Sequence, residues 1–106
     1  LDKYLININD NSHVWRTDSV FFRQKRIGDT LLVIGVNERT QRTTSSTVLR
    51  EVENIPSGSN FQVFKENRMI TAENYTLTDT WEIDEAHVYI AKELSVIKPG
   101  IPSYHP

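Results

Sequence analysis

The chain has 106 residues, a net charge of −2, no cysteine, 38% hydrophobic residues and 25% charged residues. That profile fits one globular domain with a real core. It excludes thiol chemistry, disulfides, Cys-ligated zinc and the cationic footprint of a nucleic-acid binder. No apolar run approaches the length of a membrane span, and no signal-peptide pattern is present.

In chain order the elements read as β. "YLININ" (Tyr4–Asn9) alternates as a half-buried strand should, and "DNSHVW" after it reads as loop. "SVFFRQKR" and "LLVIGVN" flank the turn signal "IGD", which predicts a hairpin of Ser19–Lys25 with Thr30–Asn37. The second of these is a continuous apolar run, as in a strand buried on both faces. "STVLREVENI" fits a helical period through Val48, Leu49, Val52 and Ile55. Its Ser/Thr run and β-branched residues favour a strand instead. "IPSGSN" is a turn by composition. "FQVF" and "MITA" flank "KENR" as a second hairpin, "ENYTL" follows, and "AHVYIAKEL" (Ala86–Leu94) closes the set.

Three of the four prolines fall in the last eight residues. They make residues 99–106 a tail after a single domain over residues 1–98. Beginning at Leu1 and ending in "KPGIPSYHP", the chain reads as a piece of a longer polypeptide. Short strands with turn signals between them predict an all-β fold, an antiparallel β-sandwich of about seven to eight strands.

"VFKENRMITAENYTLTDTWEIDEAHVYIA" resembles the end of the β-sandwich domain that follows the catalytic barrel in some glycoside hydrolases and related proteins. There a strand of the type E-x-R-x-[VI] leads to a closing motif of the type D-x-F-x-P-Y-x-V-H-V-Y. The matching residues are Glu66, Arg68 and Ile70, then Asp79, Trp81, His87, Val88 and Tyr89. Trp81 stands in place of Phe, Ile83-Asp84 in place of Pro-Tyr, and Ala86 in place of Val. "FFRQKRIGDTLLVIGVNER" resembles the early hairpin of such domains. The resemblance implies an appended module whose partner is an upstream catalytic barrel of the same chain, in an extracellular or secreted protein. It carries over no catalytic residue, because the catalytic carboxylates of those enzymes lie on the barrel.

The residues themselves offer few sites. In an extended strand Glu82 and Asp84 would share a side about 7 Å apart, near the spacing of paired glycosidase carboxylates. Nothing in the flanking sequence would bury either acid, however. Asp79, Glu82, Asp84 and Glu85 could supply oxygens to calcium, the one cofactor to consider. A solvated acidic loop is the simpler account. His87 shares a strand face with Tyr89, and a hydrogen-bonded structural histidine is the expected role. His13 and His105 lie in terminal sequence. No His-x-His or His-x-x-x-His spacing offers a transition-metal pair.

Trp15, Tyr75 and Trp81 are the aromatics that could stack on a polysaccharide, although large aromatics in a small sandwich usually belong to the core. Arg23, Lys25, Arg26, Arg39, Arg42, Arg50 and Lys65 could face a partner, or simply line solvated faces. Asn74-Tyr75-Thr76 is a glycosylation acceptor sequence. No nucleophile elbow or phosphate loop occurs. The expected function is therefore a non-catalytic accessory domain of a glycoside-hydrolase-like protein. The alternative is a carbohydrate-binding or protein-interaction module.

Overall fold

The computed structural model describes residues 12–92. The expected strand at Tyr4–Asn9 and the Pro-rich tail at residues 99–106 lie outside them. Eight strands follow in order: β1 (Ser12–Thr17), β2 (Val20–Ile27), β3 (Thr30–Asn37), β4 (Thr43–Val48), β5 (Ser59–Val63), β6 (Arg68–Ala72), β7 (Thr76–Trp81) and β8 (Ala86–Ala91). A 3-10 turn at Val52–Asn54 joins β4 to β5. Six strands form one antiparallel sheet in the order β1-β2-β3-β8-β5-β6, and β4 pairs with β7 in a second sheet. This is the expected all-β sandwich. None of the described helical turns is long and apolar enough to cross a membrane.

The hairpin of β2 and β3 forms as the sequence predicts, closing from Ile27↔Thr30 to Val20↔Asn37. Gly28 takes φ 63 at the first loop position, which the primed hairpin turns demand. Within "DNSHVW" the described residues Ser12–Trp15 are not loop but open β1, which pairs with β2 along its whole length. The two-residue turn between them is Asp18-Ser19, at φ 52 and φ 77. With no glycine at either position, the composition gives no hairpin signal. "STVLREVENI" splits. Its first residues complete β4, and the chain then turns through Glu51 at φ 53 into the 3-10 turn. The helical period it displays is real but serves two elements, because Leu49 and Ile55 both enter the core.

Alternation sorts the side chains. Val20 and Phe22, Leu31 and Val33, Phe61 and Val63, and Tyr89 and Ala91 face inward and are buried. Leu77 and Trp81 of β7 close the core from the other sheet. The inward residues of β4 are polar: Thr43, Ser45 and Thr47, all buried. Each is satisfied. Thr43 Oγ1 donates to Gln41 O at 3.0 Å, and Ser45 Oγ to Thr17 O at 3.3 Å. Thr47 Oγ1 accepts from Trp15 Nε1 at 2.6 Å and meets Thr17 Oγ1 at 2.9 Å. Hydroxyls so engaged can be buried at little cost.

Candidate functional site

The charged residues gather where β6, β7 and β8 meet. Glu66 sits in the β5–β6 turn, between Lys65 at φ 67 and Asn67 at φ 51. Arg68 opens β6, Asp79 lies in β7, and His87 and Tyr89 point inward from β8. Glu85 ends the β7–β8 turn, in which Asp84 is left-handed at φ 58. That turn is closed twice: Glu85 N donates to Glu82 O at 3.1 Å, and Glu82 N donates to Glu85 Oε1 at 2.7 Å.

Arg68 forks across two acids. Its Nε donates to Glu66 Oε1 at 2.8 Å. Its Nη1 and Nη2 donate to Asp79 Oδ1 and Oδ2 at 3.2 and 2.9 Å. Asp79 also accepts from Tyr89 Oη at 2.7 Å and from Thr80 N at 2.8 Å. Burial works against the charge of Asp79, but these donors outweigh it and hold its pKa below the ordinary value. The Arg68 hydrogen bond does the same for Glu66. Burial first, and then the Asp79 carboxylate, push the Tyr89 phenol upward, so it stays a donor. The Asp79 hydrogen bond raises Arg68. Both lowered acids are thus held ionised, the opposite of what a general acid needs.

His87 is buried at 3% exposure. Its Nε2 faces Thr80 O at 3.2 Å, with Glu85 Oε1 at 3.4 Å and Asp79 Oδ2 at 3.8 Å. Its Nδ1 lies 2.8 Å from Glu66 Oε2. The pair is close but out of hydrogen-bonding alignment, so Nδ1 has no hydrogen-bond partner. One donor atom from each of Glu66, Glu85 and His87 falls within 4.8 Å of the others.

The structure separates the four acids considered for calcium. Asp79 is committed to Arg68 and Tyr89. Exposed Glu82 pairs with Arg42 at 3.3 Å, and exposed Asp84 stands on the turn. Only Glu85 approaches another potential ligand set. The "WEIDE" stretch is a turn and not an extended strand, so Glu82 and Asp84 do not form the paired geometry.

The two indoles are equally committed. Trp81 is fully buried, and its Nε1 donates to Gly35 O at 3.0 Å. Trp15 is half-buried in β1, with Phe22 stacked on one side at 5.6 Å and the Arg50 guanidinium 4.2 Å from the ring centroid. Neither offers an open face to a sugar. Tyr75 is half-buried in the β6–β7 turn at φ 61, beside exposed Asn74 at φ 53.

Of the basic residues, Arg50 lies on Trp15 and Arg26 donates to Asn54 O at 2.6 Å. Glu66 and Arg68 were visible in the sequence as the E-x-R pair of the resemblance. Nothing local placed them against Asp79 and His87, because that contact forms only when β6, β7 and β8 assemble.

No protein-family model and no curated protein matches the chain. Solved structures do. An α-amylase from Geobacillus thermoleovorans, solved with acarbose, superposes with TM-score 0.63 at 13% identity over 78% of this chain and 18% of its own. An Anoxybacillus α-amylase gives TM-score 0.61 at 8% identity over 77% and 18%. A GH30 endoxylanase from Clostridium papyrosolvens gives 0.57 at 11% over 76% and 22%. The chain therefore shares its β-sandwich fold with part of these glycoside hydrolase structures, and spans only 18% to 22% of their length.

Proposed function

We propose that this chain is a non-catalytic accessory β-sandwich of a glycoside-hydrolase-like protein, packing on and stabilising a catalytic barrel of the same polypeptide. The outer face of the six-stranded sheet carries the reading. Strand register puts Phe21, Val36 and Ala86 in one row and Val14, Arg23, Ile34 and Val88 in the next. A third row runs Lys25, Leu32, Ile90, Gln62 and Met69. At one end of this face Ile27, Leu32, Phe64, Val88 and Ile90 line a groove of about 570 Å³. A sheet apolar on both faces is the pattern of a strand layer covered on both sides.

The same face carries Arg16, paired with Glu38 at 2.9 Å, half-buried Arg23, buried Lys25 and exposed Lys92. The fold shared with parts of larger glycoside hydrolases supports a covering domain in the same chain.

The test uses the polypeptide that carries the barrel. Phe64→Asp with Met69→Asp, both more than half exposed at 51% and 58%, should leave the isolated sandwich within about 0.5 kcal/mol of its stability. The same pair should lower the barrel's unfolding midpoint by about 5 °C. A barrel that unfolds at an unchanged temperature and keeps full activity would sink the proposal.

A further inference from the structure

We propose that Glu66, Glu85 and His87 bind one divalent transition-metal ion of the zinc type. The site rests on its own geometry, independent of any role beside a barrel. With the Nε2 proton of His87 donated to Thr80 O at 3.2 Å, the Nδ1 atom carries the ring's lone pair. That atom is buried and has no hydrogen-bond partner. It lies 2.8 Å from Glu66 Oε2, an oxygen of an ionised carboxylate. A lone pair facing an anion at that distance is repulsive, and either a proton on Nδ1 or a metal ion beside both atoms relieves it.

A metal ion fits the spacing. Nitrogen and carboxylate ligands about 2.0–2.2 Å from a shared ion stand about 3 Å apart when adjacent.

The surroundings are those of a supported ligand set. Metal-binding histidines donate their second N–H to a backbone carbonyl or carboxylate, and ligating carboxylates are themselves anchored. Thr80 O fills the first role. Arg68 Nε holds Glu66 Oε1 at 2.8 Å and turns Oε2 toward the ring. Glu82 N holds Glu85 Oε1 at 2.7 Å on the Nε2 side of the ring, 3.4 Å from that nitrogen, so Glu85 joins Glu66 and Nδ1 around one ion only when its carboxylate swings toward them from within the 4.8 Å that separates the three groups.

Charge agrees. Glu66, Asp79 and Glu85 outnumber Arg68 by two, which a dication offsets. Asp79 is spent on Arg68 and Tyr89 and stays outside the set. Glu66 and Glu85 are each about one-third exposed, 33% and 34% at the side chain, which leaves a fourth position for water. One nitrogen with two carboxylates suits zinc, whereas calcium takes six to eight oxygens.

Chelator-treated chain, titrated calorimetrically at pH 7 with zinc chloride and separately with calcium chloride, decides the matter. The expected result is one zinc per chain, with calcium at least about tenfold weaker. Glu66→Gln and Glu85→Gln should each weaken zinc by about tenfold or more, with unchanged far-UV circular dichroism. Zinc should raise the thermal midpoint of the parent chain and leave unmoved that of a chain carrying both Glu66→Gln and Glu85→Gln. His13→Ala, which removes an imidazole paired with Glu51 at 2.7 Å, should leave zinc affinity unchanged. The proposal is overturned if no stoichiometric zinc binds, if affinity survives both glutamine substitutions, or if it falls with His13→Ala.

Discussion

Gly35 sets how closely Trp81 can approach β3. A Cβ at Gly35 would lie 2.9 Å from Trp81 Cζ2 and 3.0 Å from Phe22 Cε1. Both are rigid rings deep in the core, so neither can swing aside. The indole also donates to Gly35 O, which ties the ring to the backbone it crowds. Gly35→Ala should therefore cost about 1–3 kcal/mol, as overpacking does, read as a lower urea midpoint with an unchanged m-value. Asn37, two residues on and also buried, works differently. Its Nδ2 donates to Gln41 O, Trp81 O and Glu82 O at 3.0, 3.3 and 3.0 Å, and its Oδ1 accepts from Arg39 N. One amide thus holds the start of the β3–β4 loop to the end of β7. In the sequence "LLVIGVN" shows a strand but not which residue is a spacer and which a clasp, because both roles are defined by β7.

The two-stranded sheet shows what an element gains from polar residues. On its outer face Thr44 pairs with Thr80 at 2.8 Å and Ser46 with Thr78 at 2.7 Å, cross-strand hydroxyl pairs of the stabilising kind. On its inner face Thr47 reaches across to β1, which lies at the edge of the large sheet among the described residues. Trp15 Nε1 and Thr17 Oγ1 both meet Thr47 Oγ1. Thr47→Val keeps the shape and orphans the indole N–H, which should cost about 1–3 kcal/mol. The loss belongs mainly to β1, so amide exchange at residues 12–17 should accelerate before that of β3 or β8. Equal acceleration in all strands would show that β1 has no separate anchorage. β1 itself is the strand that sequence reading takes for loop. Its alternation is broken by His13 and Arg16, and its turn places Asp18 and Ser19 at positive φ without a glycine to announce it.

At the scale of the whole molecule, the Glu66–Arg68–Asp79–Tyr89 cluster joins the small sheet to the large one. Its acids titrate with folding. The native pKa values of Asp79 and Glu66 lie below their ordinary values, so the unfolded chain takes up protons first as pH falls. The stabilisation is fully present above the unfolded values, about 4, and is lost as pH drops through the lower native values. Urea midpoints measured from pH 7 down to about pH 2 should fall steeply below about pH 4. Asp79→Asn, less stable at neutral pH, should show a shallower acid limb. An identical slope in the variant would place the acid sensitivity elsewhere.

Local sequence is enough for the β class, the β2–β3 hairpin, the turn at "KENR" and the closing strand, because alternation and turn chemistry act over a few residues. It also shows that "LLVIGVN" is apolar on both faces. It leaves open which face of "AHVYIA" turns inward, since His87 with Tyr89 and Val88 with Ile90 are both acceptable to a half-buried strand. Only packing decides that. Between β3 and β5, the inner side of β8 meets Trp81, Asp79 and Arg68, which can hydrogen-bond a buried phenol and imidazole, while the outer side lies between the apolar Ile34 and Leu32 of β3, which suit Val88 and Ile90. The carboxylates of "TDTWEIDEA" look like one acidic group in the sequence. The fold divides them, sending Asp79 inward to Arg68, Glu85 toward His87, and Glu82 and Asp84 to solvent, because a strand and a tight turn aim successive side chains in different directions.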